Sequence, residues 1–224
     1  MKTEVNIKYR YILFDLDGTL TDSGEGITKS VAYAIEKMGF PALPQSTLLK
    51  FIGPPLTESY PDRCGMNREE TDRAIAYFHE RFDTVGIWEN YPIPGMRELL
   101  AELCEKGYKL ALASSKPKHA ATDICEKFGF APYLSVIGGN DEDLGARAKW
   151  EIIQQVMEFF GVSDKSEVLM VGDRKYDCIG AAKCGVDCAG LAICEYGEEG
   201  ELEAHGAVTV AKTVEELREF IFTH

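Results

Sequence analysis

Tyr11-Ile-Leu-Phe-Asp15-Leu-Asp17-Gly18-Thr19-Leu20 is the stretch from which the rest of the chain can be read. Four largely apolar residues lead into two aspartates spaced two apart, then a glycine and a threonine. A short apolar run ended by turn residues predicts a buried strand. Its last residues fall at the strand's carboxyl end, where open α/β sheets bind ligands. Successive strand side chains point to opposite faces, so Asp15 and Asp17 share a face if the strand continues through them. Gly18 permits a backbone turn that a residue with a Cβ resists. Two crowded carboxylates are costly unless a cation neutralises them, and all-oxygen ligation favours a hard cation, Mg²⁺ first.

The chain has 224 residues, more than one typical domain and fewer than two large ones. With 45% hydrophobic residues and 9 prolines it can bury a core and does not read as disordered. A formal net charge of −13 argues against DNA, RNA or an anionic membrane surface as partner. It does not exclude a small anion, because one metal ion and one lysine reverse the sign locally. The seven cysteines (Cys64, Cys104, Cys125, Cys178, Cys184, Cys188 and Cys194) form no CxxC pair. Met1–Arg10 has no apolar run of the signal-peptide type, and no segment approaches transmembrane length. The thiols therefore read as reduced, and the expected location is the cytoplasm, as a monomer or homodimer. Cys184 and Cys188 are spaced like a metal pair, but the four histidines lie far away in sequence, so core packing is the expectation.

After Leu20 the pattern turns helical for about 70 residues. Ile27, Val31, Ala34, Ile35 and Met38 fall at helical spacing, and Gly39 closes the run. A short helix is expected from about Ser46 to before Gly53-Pro-Pro55. Asn67 and Glu70 make a cap for a further helix, with Ile75, Phe78, Phe82 and Val85 on one face and Gly86 at its end. No convincing strand is found between Thr21 and Tyr91, so this block reads as an all-helical insertion. From Tyr91-Pro-Ile-Pro-Gly95 onward helix and strand alternate. Helices are expected near 96–106, 117–128, 149–160, 175–184 and 213–222. Strands are expected at Lys109–Ala113, Leu134–Gly138, Val168–Gly172, Cys188–Ile193 and Ala207–Ala211. Glycines 107, 129, 161 and 185 each fall just past a helix, Pro117 suits a first helical turn, and Thr213 with Glu216 reads as a capping box. Such alternation implies right-handed crossovers and a mainly parallel, doubly covered sheet.

Two further strand ends carry polar residues. Leu110-Ala-Leu-Ala-Ser114-Ser115-Lys116-Pro117 runs into a helix start, which suits either a phosphate cradle or an ordinary N-cap serine. Val168-Leu-Met-Val-Gly-Asp173-Arg-Lys-Tyr-Asp177 places two acids four apart after an apolar strand, as metal ligands or as caps of the next helix.

Together these stretches resemble the haloacid dehalogenase superfamily, which uses an aspartate for phosphoryl transfer. Phe14-Asp-Leu-Asp-Gly-Thr-Leu-Thr-Asp22 is similar to its first motif, Ser114 stands at the second, and Gly172-Asp173-x-x-x-Asp177 matches the fourth. The third motif is a lysine on or before the next-to-last core helix. Lys149 stands there, with Arg147 as competitor, and Lys149 is preferred because the apolar helical pattern begins right after it. Phe51-Ile-Gly-Pro-Pro-Leu56 and the segment Tyr196–Ala207 resemble the phosphoglycolate phosphatase and 5′-nucleotidase-like branch.

The resemblance implies a Rossmann-like, doubly wound α/β core over 1–20 and 92–224, with an inserted helical cap over 21–91. It implies a Mg²⁺-dependent phosphatase of a small phosphorylated metabolite. Asp15 would be the nucleophile that becomes aspartyl-phosphate, and Asp17 the acid and base. Lys149 would complete the catalytic set, and Ser114, Ser115 and Gly18 would hold the phosphoryl group. Asp15, Asp17 (through its carbonyl), Asp173 and Asp177 would hold Mg²⁺. Dehalogenation is not expected, because the dehalogenases lack the second aspartate of DxD. A phosphotransferase or sugar-phosphate mutase shares all four motifs, and a phosphonate-cleaving relative would need a reactive cap lysine such as Lys29, Lys37 or Lys50. A non-catalytic binder of phosphorylated metabolites has no need of a nucleophile. The cap aromatics Phe51, Tyr60, Tyr77, Phe78, Phe82 and Trp88 read mainly as core, with one or two able to stack on a nucleobase. They permit a 5′-nucleotide in preference to phosphoglycolate.

Overall fold

The computed structural model describes residues 8–140 and 147–224. Met1–Ile7 of the N-terminal stretch, and Gly145–Ala146 ahead of Arg147, lie outside the described residues. The chain divides into two compact units, Met1–Leu20 with Pro92–His224, and Thr21–Tyr91. Among the described residues no helix is long and apolar enough to cross a membrane.

Strand β1 (Tyr11–Phe14) comes first, with Ile12, Leu13 and Phe14 fully buried. The chain then enters the second unit through β2 (Thr21–Asp22). Helix α1 (Gly24–Lys37) buries Ile27, Val31, Ala34 and Ile35, as the spacing requires. It is followed by the short α2 (Gln45–Leu48), α3 (Leu56–Cys64) and α4 (Arg68–Phe82). The capping box of α4 is complete: the Glu70 N–H donates to the Asn67 side chain (3.0 Å), and the Asn67 N–H donates to the Glu70 carboxylate (2.9 Å). Its buried face is Thr71, Ala74, Phe78 and Phe82. Val85, expected on that face, lies beyond the end of the helix and is half exposed. Helix α3 was not expected, because Pro61 inside it removes an N–H donor and argues against a helix. The unit is also not purely helical, since β2 pairs with β3 (Tyr91–Pro92); two residues are too few to carry a strand pattern.

In the first unit the chain continues through α5 (Met96–Glu105), β4 (Lys109–Pro117), α6 (Lys118–Lys127) and β5 (Val136–Asn140). It goes on through α7 (Lys149–Phe160), β6 (Val168–Gly172), α8 (Lys175–Cys184) and β7 (Asp187–Leu191). Last come α9 (Glu201–Ala204), β8 (Thr209–Ala211) and α10 (Val214–Thr223). Six strands lie in the order β5-β4-β1-β6-β7-β8, and each adjacent pair is parallel. This is the Rossmann-like, doubly wound arrangement expected. β1 sits between β4 and β6, so the strand order reverses around it, and the carboxyl ends at such a reversal are where open α/β sheets bind ligands.

Parallel strands covered on both faces read as continuous apolar runs, and β6 is buried at all five positions. Leu13 and Met170 of adjacent strands pack with Ile152, Ile153 and Val156 of α7 and Cys178 and Ala181 of α8. Cys184 and Cys188 are buried in the same core. Several details differ from expectation: β7 covers Asp187–Leu191 rather than Cys188–Ile193, and β8 starts at Thr209 rather than Ala207. β5 starts two residues late, behind a 3₁₀ turn at Ala131–Tyr133. β4 runs on to Pro117, which precedes α6 rather than starting it. Glu216 pairs its N–H with Thr213, but its carboxylate reaches back to the Lys212 N–H instead. Replacing Leu13 by Ala should cost about 2–5 kcal/mol, the usual range for a buried Leu→Ala change. A lowered urea midpoint with an unchanged slope would report it.

Candidate active site

The site is assembled from three strand ends. Past β1 the Asp15 N–H donates to the Val171 carbonyl (2.9 Å), holding Asp15 against β6. The chain then turns tightly, with the N–H groups of Thr19 and Leu20 both donating to the Leu16 carbonyl. Gly18 takes φ 79° in this turn, and a Cβ there would stand 2.1 Å from Asp173 Oδ2. Glycine is thus required twice over, for the left-handed backbone and for the approach of Asp173. After β6, Asp177 in the first turn of α8 accepts the Arg174 N–H (3.1 Å). A Cβ on Gly172 would stand 2.1 Å from the Asp177 Cγ.

These turns gather Asp15, Asp173 and Asp177, with carboxylate oxygens within 4.8 Å of one another. Lys149, at the first position of α7, brings its Nζ to 2.9 Å from Asp15 Oδ1, 2.8 Å from Asp177 Oδ1 and 3.1 Å from the Ala113 carbonyl. Its stem passes over Gly180 of α8, where a Cβ would meet the Lys149 Cγ at 2.9 Å. Burial opposes the charge on Lys149, but Asp15 and Asp177 outweigh it and raise its pKa. Burial, then the charges of Asp177 and Asp15, push Asp173 well above the usual carboxylate range. Burial also lifts Asp177 to about 6 in spite of Lys149. Asp173 Oδ2 is buried with no hydrogen-bond partner, while Thr19 Oγ1 is 3.4 Å from Oδ1. Three acids facing one lysine, one of them with an orphaned buried oxygen, form a hard-oxygen set that fits a divalent cation such as Mg²⁺.

Asp17 is placed differently. Its carboxylate is outside this cluster and is held by Lys116, whose Nζ lies 3.0 Å from Oδ1 and 2.8 Å from Oδ2. Lys116 comes from an irregularity in β4. Ala113 pairs with Gly138 and Pro117 with Asn140, so four steps along β4 match two along β5. The bulge turns Ser114 and Lys116 inward, both buried, and Ser115 outward. The Ser114 Oγ accepts the Lys116 N–H (3.3 Å), and Asn140 donates to the Ser115 carbonyl (2.5 Å).

The geometry therefore brings Asp15, Lys149, Asp173 and Asp177 together, with Gly18 beneath Asp173 and Ser114 at the neighbouring strand end. Ser115 is exposed. Arg147 points to Gln155 (2.9 Å) and caps Asn140 through its N–H rather than meeting the acids. Two buried cations were not singled out from the sequence. Lys116 was detectable, since period two puts it on the same face as Ser114. Arg174, next to Asp173, forms a buried ion pair with Glu201 at 2.9 Å, across 27 residues, and no local pattern announces that.

Comparison with known proteins agrees with this architecture. The haloacid dehalogenase-like hydrolase family matches residues 12–191. The chain belongs to that family. Among its relatives, a 5′-nucleotidase of Pseudomonas aeruginosa is 36% identical over 97% of this chain and 98% of its own length. The tyrosine-protein kinase PtkA of Mycobacterium tuberculosis is 32% identical over 93% of this chain and 71% of its own. A predicted phosphatase from Clostridium acetobutylicum superposes with a TM-score of 0.89 at 38% identity, over 96% of this chain and 99% of that one. In this haloacid dehalogenase-like hydrolase, replacing Lys149 by Met leaves buried carboxylates without their cation. The loss should be about 3–5 kcal/mol, the range for breaking a buried pair from one side, read from chemical denaturation in the presence of a chelator.

Proposed function

We propose that this phosphatase of the haloacid dehalogenase-like family is a Mg²⁺-dependent phosphomonoesterase working through an aspartyl-phosphate on Asp15. Its substrate is a small phosphorylated metabolite, a 5′-nucleotide in preference to phosphoglycolate. The observation that carries this reading is the set of partly exposed Asp15 and buried Asp173 and Asp177 around Lys149, with an unpartnered Asp173 oxygen. Bound there, Mg²⁺ would supply compact positive charge opposite the transferring phosphoryl group.

In the first step an Asp15 carboxylate oxygen attacks phosphorus, the bond to the leaving oxygen breaks, and Asp17 gives that oxygen a proton. In the second, water attacks the phosphorus of the aspartyl-phosphate and returns a proton to Asp17, freeing Asp15 and inorganic phosphate. Lys149 offsets charge on the transferring group, and Ser114 offers a hydroxyl at the adjacent strand end. Enzymes accelerate phosphate-monoester hydrolysis by up to ~10²¹, while general acid catalysis supplies only ~10²–10⁴. Nucleophile, acid, metal and positioning are all needed. The inserted unit, Thr21–Tyr91, would serve as the cap that selects the leaving group. Phe51, Tyr60, Phe78 and Phe82 are buried within it, which leaves Tyr77, half-buried, and Trp88, exposed, for a nucleobase. The P. aeruginosa 5′-nucleotidase supports the nucleotide preference.

The kinase relative favours a second reading, transfer of the phosphoryl group to an acceptor other than water. Following inorganic phosphate and labelled acceptor in the same reaction separates the two. Replacing Asp15 by Asn should lower Mg²⁺-dependent phosphate release from an aryl phosphate by about 10⁴-fold or more, the scale of losing a nucleophile. Near-normal turnover would remove Asp15 from that role. Mg²⁺ at about 100 times its Kd should stabilise the folded protein by about 2.7 kcal/mol. Thermal melts should show this gain in the wild type and its loss in Asp173→Asn. A nucleoside monophosphate should show a higher kcat/KM than phosphoglycolate in a side-by-side assay, and the reverse order would transfer the preference to phosphoglycolate.

A further inference from the structure

Lys116 is a buried cation that the scheme above does not use. It is 8% exposed, and its Nζ engages both oxygens of Asp17 at 3.0 and 2.8 Å. Lys149 lies with Asp15 and Asp177 instead, so the two lysines serve different acids. A general acid works only if its carboxyl is aimed at the leaving oxygen, and Asp17 lies past the end of β1, immediately before the turn at Gly18. Its carboxylate does not stand with the other three acids, and it contacts a lysine raised by the two extra residues of the β4 bulge. That bulge is itself tied down. The Ser114 hydroxyl accepts the Lys116 N–H, Asn140 holds the Ser115 carbonyl, and a Cβ on Gly139 would stand 2.9 Å from the Lys116 carbonyl. A lysine this well anchored fixes the position of whatever it grips.

We propose that Lys116 is the positioning residue for Asp17, holding its carboxyl on the leaving-group side of Asp15 so that it delivers a proton to the departing oxygen. The proposal rests on the phosphatase reading above and deepens it. On this assignment Lys116 acts through Asp17. Its importance therefore scales with how badly the leaving group needs a proton. An aryl phosphate expels a stabilised phenolate and needs little help, whereas an alkyl phosphate expels a poor leaving group and depends on the acid.

The test compares wild type, Lys116→Met and Lys116→Arg, with Mg²⁺, on p-nitrophenyl phosphate and on a simple alkyl phosphate. For Lys116→Met, kcat on the alkyl phosphate should fall by about 10²-fold, within the ~10²–10⁴ that general acid catalysis supplies, and by no more than about 5-fold on the aryl phosphate. KM should change little on either. Lys116→Arg, which keeps a two-pronged grip on a carboxylate, should recover part of the alkyl-phosphate rate. Circular dichroism and thermal melts establish that both variants are folded. Equal losses on the two substrates would overturn the proposal, because a structural defect does not distinguish leaving groups. So would a rise in KM with kcat unchanged, the signature of a lysine that binds the phosphoryl group itself. If wild type releases no phosphate from either ester, the phosphatase reading fails instead.

Discussion

Three carboxylates, Asp173 and Asp177 buried and Asp15 partly exposed, meet one buried ammonium group, and the surrounding structure is arranged to make that tolerable. Burying ionised carboxylates costs several kcal/mol each unless charge and hydrogen bonds offset it. Asp173 and Asp177 answer with raised pKa values, Lys149 with a charge reinforced by Asp15 and Asp177. The glycines at 18, 172 and 180 are explained by the same crowding. At each, a Cβ would collide with Asp173, Asp177 or Lys149. The sequence around the acids is therefore dictated by packing the charges as much as by chemistry.

The sheet supplies the crowding. Because β1 lies between β4 and β6, its carboxyl end is flanked on both sides by parallel strands, with Leu13 opposite Ala111 and Met170. The N-terminal turn of α8 closes one side through the Asp177–Arg174 contact. The buried Arg174–Glu201 pair ties the loop after β6 to α9, with the Lys175 N–H also donating to Glu201. On the other side the β4 bulge departs from the sheet, which is how a strand pairing regularly through Ala113 presents two inward polar residues next. Regular pairing sets the level of the site, and irregular pairing furnishes its edge.

Much of this was legible in the sequence, for identifiable reasons. β6 is buried throughout, so its apolar run gave its ends without error, and α7 buries positions 149, 152, 153, 156 and 157 at helical spacing. Asp15, Asp173, Asp177 and Lys149 were detectable because each follows or starts such a run. What was not legible depends on pairing between distant segments. The length of β4 and its bulge are set by its register with β5, 20 or more residues away, and the strand pattern alone suggests an end at Ala113. Helix α3 was hidden by Pro61, and Val85 was assigned to a face the helix does not reach. Lys116 follows the apolar run of β4. Period two puts it on the face of Ser114, but its partner Asp17 lies 99 residues away and no local pattern announces that pairing.

The charge balance explains how a chain of formal net charge −13 can receive a phosphate ester. Asp15, Asp17, Asp173 and Asp177 are four acids, and Lys116 and Lys149 are the cations in contact with them at 3.0 Å or less. If all are ionised, two negative charges remain, which repel a phosphate dianion and which a single divalent cation cancels. Lys116 holds Asp17, and Asp173 carries the unpartnered oxygen, so the uncompensated charge sits with the Asp15, Asp173 and Asp177 group rather than at Asp17. A divalent ion bound there brings the pocket to neutrality beside the nucleophile while the rest of the surface stays acidic. That surface also disfavours nucleic acid and other polyanions, whose binding depends on many phosphate contacts rather than one. On the proposed reading, selectivity for a small ester over a polymer follows from confining the compensating positive charge to one strand-end crevice.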